Sequence, residues 1–117
     1  MLANRRRYPR AALGSRCWCE TDGITLYARA MNVSEGGLFI RTYAPLQRGS
    51  PARLRFPVDK GGEVAADAVV VWVREPAEPE HVVPGMGLQF TTIDEASLAA
   101  IRDFIARADD TRSFWPA

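Results

Sequence analysis

Lysine is almost missing from this chain: Lys60 is the sole lysine among 15 basic residues, and the others are all arginine. Histidine is as scarce, with His81 alone, and the only cysteines are Cys17 and Cys19 on either side of Trp18. A zinc site takes about four ligands, so no metal site is expected. In a strand, positions i and i+2 point to one face, and such neighbours rarely reach disulfide geometry. The two cysteines therefore read as small apolar side chains on one strand face. His81 sits in the acidic, proline-punctuated stretch from Glu75 to His81, a solvated loop. No nucleophile–base pair, carboxylate pair or metal constellation stands out, and an enzyme is not expected. Long apolar runs are missing too, since none approaches the ~20 residues of a membrane span. The opening Met1-Leu-Ala-Asn-Arg-Arg-Arg carries charge with no apolar stretch behind it, unlike a secretory signal. The expected location is cytoplasmic, without membrane insertion.

What is present suits a single folded domain. The chain has 117 residues, 47% of them hydrophobic and 25% charged, the length and balance of one globular unit. Its net charge is +1, but the distribution says more than the sum. Arg5, Arg6, Arg7 and Arg10 all precede the first acidic residue. GC-rich coding accounts for a general excess of arginine over lysine, yet not for that clustering. A short basic arm at a terminus meets something anionic: nucleic acid, nucleotide, phosphate or an acidic partner.

Beyond the arm the pattern is that of strands. They are expected at Leu13–Glu20, Ile24–Val33, Gly37–Thr42, Ala52–Phe56, Glu63–Arg74 and Gly85–Thr91. In the second, Ile24, Leu26, Ala28 and Ala30 alternate with Thr25, Tyr27, Arg29 and Met31. Six strands at this spacing predict an all-β fold, a small antiparallel barrel or sandwich. One helix follows: Thr92-Ile-Asp-Glu95 resembles a capping box, and Leu98, Ile101, Ile105 and Ala108 then recur at helical spacing, with Phe104 beside them. The tail Thr111–Ala117 carries two aromatics, Phe114 and Trp115, with a role on the domain or on a partner.

Two short segments carry chemistry. In Arg6-Arg7-Tyr8-Pro9-Arg10, Pro9 disfavours helical geometry at Tyr8, so Arg6 and Arg10 can approach a ligand from different directions. A planar guanidinium can pair with the O6 and N7 edge of guanine, clasp phosphate oxygens and stack on a purine face. The second segment is Asn32-Val33-Ser34-Glu35-Gly36-Gly37. If the strand continues through it, Asn32 and Ser34 share a face, offering an amide and a hydroxyl together. Gly36 and Gly37 then let a ligand come close to the backbone amides. A plain β-turn, with Asn and Ser satisfying local backbone groups, is the alternative.

Taken in order, Arg6-x-x-x-Arg10 and Asn32-x-Ser34-x-x-Gly37 resemble the two-part signature of PilZ domains. The similarity continues through Gly37-Leu-Phe-Ile40, Val71-Trp-Val-Arg74 and Gly85-Met-Gly-Leu-Gln-Phe90, over residues 5 to 105. The resemblance implies a six-stranded antiparallel β-barrel with one C-terminal helix and a cyclic di-GMP site on its outer face. It divides the chain into a flexible arginine-rich arm (1–12), a barrel with its helix (13–108) and a tail (109–117). It assigns the ligand to Arg6 and Arg10 on one side and to Asn32, Ser34, Gly36 and Gly37 on the other. Arg5, just ahead of the first motif arginine, favours a stacked pair of ligands over one. Cyclic di-GMP is the ligand and no other cofactor is implied. Output then passes through a downstream protein partner, from a monomer or weak homodimer. The rival readings are a PilZ-like adaptor that binds protein and no nucleotide, and a barrel that binds single-stranded nucleic acid. The latter wants a longer basic groove than this near-neutral chain supplies.

Overall fold

A computed structural model of the chain describes residues 9–58, 62–76 and 83–112, with side chains as far as residue 108. The first two strands, β1 (Ala11–Thr21) and β2 (Ile24–Val33), are joined by Asp22-Gly23. Both turn residues have positive φ, 50° and 75°. A two-residue hairpin of matching twist requires that, and Asp-Gly supplies it with little strain. β1 starts at Ala11 rather than Leu13 because Ala11 is buried and pairs with Val33. The strand thus reaches into the stretch assigned to the arm.

The remaining strands are β3 (Gly37–Arg41), β4 (Pro51–Pro57), β5 (Glu63–Arg74) and β6 (Gly85–Ile93). All neighbours are antiparallel, and the order β1-β2-β3-β6-β5-β4 closes on itself. Closure removes the exposed edges that an open sheet would present. The expected six-stranded barrel is observed, each strand within two residues of its expected bounds.

Alternation fills the interior. Phe56 and Leu54 from β4, Val64 and Val70 from β5, Ile40 and Leu38 from β3, and Met86 from β6 are all fully or almost fully buried. Cys17 and Cys19 point inward beside them as free thiols. Burial pushes the Cys17 thiol up to about 12, with Cys19 adding to it, and the Cys19 thiol up to about 11. Both therefore behave as small apolar side chains.

The helix α1 (Glu95–Arg112) covers one end, inserting Ile101 and Ile105 into the core. Its cap differs from the expected one. β6 runs on to Ile93, so Thr92 is a strand residue paired with Asp67. Asp94 is the N-cap, its carboxylate accepting the Ser97 amide at 2.7 Å. The buried Ser97 hydroxyl in turn accepts the Ala65 amide of β5 at 3.1 Å, which fixes the helix to the barrel.

Candidate functional site

In β2 the residues Leu26, Ala28 and Ala30 turn toward the interior, and strict alternation would send Asn32 inward as well. It does not. The register between β2 and β3 slips between Ala30 and Asn32, with Met31 as the extra residue. One added residue flips every later side chain to the other face. Val33 is buried in consequence, and Asn32 faces out. Across the same row Asn32 pairs with Ala12 of β1, two positions after Arg10. That register brings the Arg10 guanidinium to Asn32, donating to its Oδ1 at 2.6 Å.

A second bulge does the same for β5. Val64, Ala66, Ala68 and Val70 point inward, which would make Trp72 a core residue. The register slips between Val70 and Trp72, leaving Val71 unpaired and sending Trp72 and Arg74 outward. Asn32 pairs with Phe39, Phe39 with Gly87, and Gly87 with Trp72. These four residues form one row across the outer face. Gly87 is required there, since a Cβ would collide with the Trp72 indole. The indole lies over the glycine and stacks on Phe39, with ring centroids 5.2 Å apart and planes 6° from parallel. Gly85 serves the neighbouring ring likewise, for a Cβ there would strike Phe39 and the Ile40 carbonyl.

Arg74 covers this pair of rings. Its guanidinium carbon is 5.6 Å from the Phe39 centroid and 5.3 Å from that of Trp72, within cation–π range. Nη1 donates to the Val83 carbonyl at 3.0 Å, which holds the side chain in place. Arg10, Met31, Asn32, Phe39, Trp72, Arg74 and Val83 together line an open cavity of about 520 Å³. Among the described residues, its lining holds two guanidiniums, one amide and two stacked rings, and no carboxylate. Such a surface suits a planar, anionic ligand: the rings and the guanidinium planes offer stacking, and the cations and the amide offer hydrogen bonds.

Of the residues expected from sequence, Arg10 and Asn32 are brought together on this cavity. Arg5 and Arg6 lie outside the described residues, as do His81 and the Phe114-Trp115 tail. Ser34 and Gly36 lie in the turn that follows β2, and Gly37 opens β3. β2 ends at Val33, so Ser34 does not share a strand face with Asn32. It is 4% exposed, its amide donates to the Gly37 carbonyl at 2.8 Å, and its Oγ accepts the Gly36 amide at 3.1 Å. Hydroxyl and amides are thus engaged in closing the β2–β3 turn, which keeps Asn32 at its strand end. Gly37 is needed for a close approach: a Cβ there would meet the Leu88 carbonyl of β6.

Sequence reading named Phe39, Trp72 and Arg74 only within segments similar to the family, gave them no place in the site, and did not single out Met31 or Val83. The one usable signal was Trp72-x-Arg74 beside Gly85-x-Gly87, where two glycines on one face make room for large rings on the next strand. Among the described residues, no group of three His, Cys, Asp or Glu side chains could hold a metal ion. No helix there is long and apolar enough to cross a membrane.

Comparison with known proteins agrees with this fold. The sequence model of the PilZ domain matches residues 4–107. No curated protein matches the chain. Among solved structures, the Bacillus subtilis inhibitor of motility MotI/DgrA is similar with a TM-score of 0.76 at 18% identity, over 92% of this chain and 52% of that one. The PilZ domain of YcgR from Escherichia coli, solved with c-di-GMP, gives 0.66 at 21% identity, over 93% and 95%. The MrkH–c-di-GMP complex of K. pneumonia gives 0.71 at 20% identity, over 96% and 55%. The chain thus spans about half the length of MotI/DgrA and MrkH.

Proposed function

The chain belongs to the PilZ domain family, and we propose that it is a cyclic di-GMP receptor, not an enzyme, whose ligand sits in the cavity over Asn32, Phe39, Trp72 and Arg74. The observation that carries this reading is the lining itself: Arg10 and Asn32 joined at 2.6 Å on one side, and Arg74 over two stacked rings on the other. Cyclic di-GMP has two phosphate charges and two guanines, and this cavity offers cations and stacking surface with no opposing carboxylate among the described residues. That YcgR and MrkH were solved with c-di-GMP supports the choice of ligand.

In this reading Arg10 contacts the nucleotide directly, with Asn32 holding its guanidinium at the cavity edge. Arg5 and Arg6 close over the ligand from the arm. Ser34, Gly36 and Gly37 act by shaping the turn beneath Asn32. Ordering arm residues costs about 1–2 kcal/mol each. Charge-assisted hydrogen bonds return about 1.5–3 kcal/mol apiece, so several arginines must engage together. The change in the arm is the signal, passed to a partner protein.

The test is thermal unfolding with saturating cyclic di-GMP, with GMP and a short oligonucleotide as controls. Ligand at about 100 times its dissociation constant stabilises by about 2.7 kcal/mol, on the order of 10 °C for a domain of this size. An equal melting temperature with and without cyclic di-GMP would refute the receptor reading and favour an adaptor that binds no nucleotide.

A further inference from the structure

Outside the cavity, the β-ladder places arginines in a second row. Arg16 of β1 pairs with Arg29 of β2, and Arg29 pairs with Arg41 of β3. All three are exposed, and cross-strand partners share a face. With adjacent strands about 4.8 Å apart, the three positions span roughly 10 Å. Like charges directly opposite one another weaken a sheet, and among the described residues no carboxylate is paired with them. Among the described residues, the ion pairs of arginine are Arg53–Asp67, Arg55–Glu63, Arg102–Glu35 and Arg107–Asp103, and none involves this row. Arg29 is steadied by donating Nη1 to the Gly14 carbonyl at 2.6 Å, which leaves its other N–H groups available.

Beside the row lies a shallow hollow of about 340 Å³ lined by Arg16, Tyr27, Ala28 and Arg29. Tyr27 is 67% exposed. We infer that this row is a docking surface for an acidic segment of a partner protein, with carboxylates on Arg16, Arg29 and Arg41 and an apolar side chain in the hollow. The need for such a partner rests on the receptor reading above; the charge complementarity does not. Three guanidinium forks suit carboxylates bidentately, and an acidic segment relieves the repulsion built into the row. Single-stranded nucleic acid fits less well, because it wants a long basic groove and successive open rings. Trp18 is already engaged edge-to-face with Tyr27, ring centroids 5.9 Å apart, and with Arg55 at 6.0 Å. The basic row is also bounded on the β4 side, where Arg53 and Arg55 have acidic partners of their own.

Fluorescence anisotropy of a labelled oligoglutamate peptide, with labelled oligothymidylate in parallel, tests the docking surface. The full chain is expected to bind oligoglutamate, and raising salt from about 50 to about 200 mM should weaken binding severalfold. The triple variant Arg16→Ala, Arg29→Ala, Arg41→Ala should lose roughly tenfold in affinity, whereas Arg53→Ala should match the parent. The triple variant should keep the melting shift with cyclic di-GMP, which also shows that it folds. No binding of oligoglutamate by the parent, unchanged binding by the triple variant, or tighter binding of oligothymidylate each overturns the assignment. So does loss of the cyclic di-GMP shift in the triple variant alone, for the row would then belong to the nucleotide site. Failure of the receptor reading shows separately, as absence of that shift in the parent.

Discussion

The β4–β5 ladder and the β2–β3–β6–β5 face belong to one barrel and follow different rules. Between Pro51–Pro57 and Glu63–Val69 the partners run without a break, and β4 alternates exposed and buried at every position. Its outward arginines have acids across the strand: Arg53 meets Asp67 at 3.4 Å and Arg55 meets Glu63 at 4.0 Å. On the other face, alternation is broken at Met31 and at Val71, and among the described residues no carboxylate lines the cavity that results. Regular pairing builds the core. The two bulges turn toward solvent an amide, an indole and a guanidinium that alternation would have buried.

That contrast can be broken from either side. Phe56 is fully buried on the regular ladder, and Phe56→Ala should destabilise by about 3–5 kcal/mol. Denaturant unfolding measures it, and at saturation the folded fraction should still take cyclic di-GMP. Next in size is Gly87→Ala on the bulged face. Its Cβ would displace the Trp72 indole, an overpacking cost of about 1–3 kcal/mol. Calorimetric titration should show a larger loss of cyclic di-GMP affinity than Phe56→Ala causes. A variant with the parent's affinity would mean that the Phe39–Trp72 stack does not touch the ligand.

The interior has a pH signature of its own. Both thiols sit above their ordinary 9.0, at about 12 for Cys17 and about 11 for Cys19, so the folded state holds protons that the unfolded state releases. Their contribution is intact below pH 9.0 and declines as pH rises through the folded values. Stability should fall by up to about 1.4 kcal/mol per pH unit per thiol in that window, as urea titrations at stepped pH would show. A double Cys17→Ala, Cys19→Ala variant should lose that slope. The smallest effect belongs to the exposed ladder pair: Arg53→Ala should change stability by at most about 1 kcal/mol and nucleotide affinity not at all.

The six strands and the helix were legible because each is written in composition and period. Ile24–Ala30 alternates, Val69–Val73 is a β-rich run set between Gly61-Gly62 and Pro76, and Leu98, Ile101 and Ile105 recur at helical spacing. The helix cap was displaced by two residues because Thr92 and Asp94 are both good caps. The choice fell to how far β6 pairs with β5, a tertiary matter. In the candidate site, Arg10 and Asn32 were readable as residue types of the right chemistry. The reason they meet was not: it lies in register slips that shift a strand by one residue. Nothing local in Val69-Val-Val-Trp-Val-Arg74 announces that Val71 is the unpaired one. For the same reason the buried part played by Ser34 was hidden, since it depends on β2 ending one residue before it.

The most direct measurement is the cyclic di-GMP affinity of Arg10→Ala beside Arg53→Ala, by calorimetric titration on the full chain. Both remove one exposed arginine, one at the bulged face and one on the regular ladder. The expected result is a loss of about 1.5–3 kcal/mol in binding, roughly ten- to a hundredfold or more, for Arg10→Ala alone, with both variants melting within a few degrees of the parent. Equal affinities for Arg10→Ala and the parent would place the nucleotide elsewhere and contradict the assignment of this cavity.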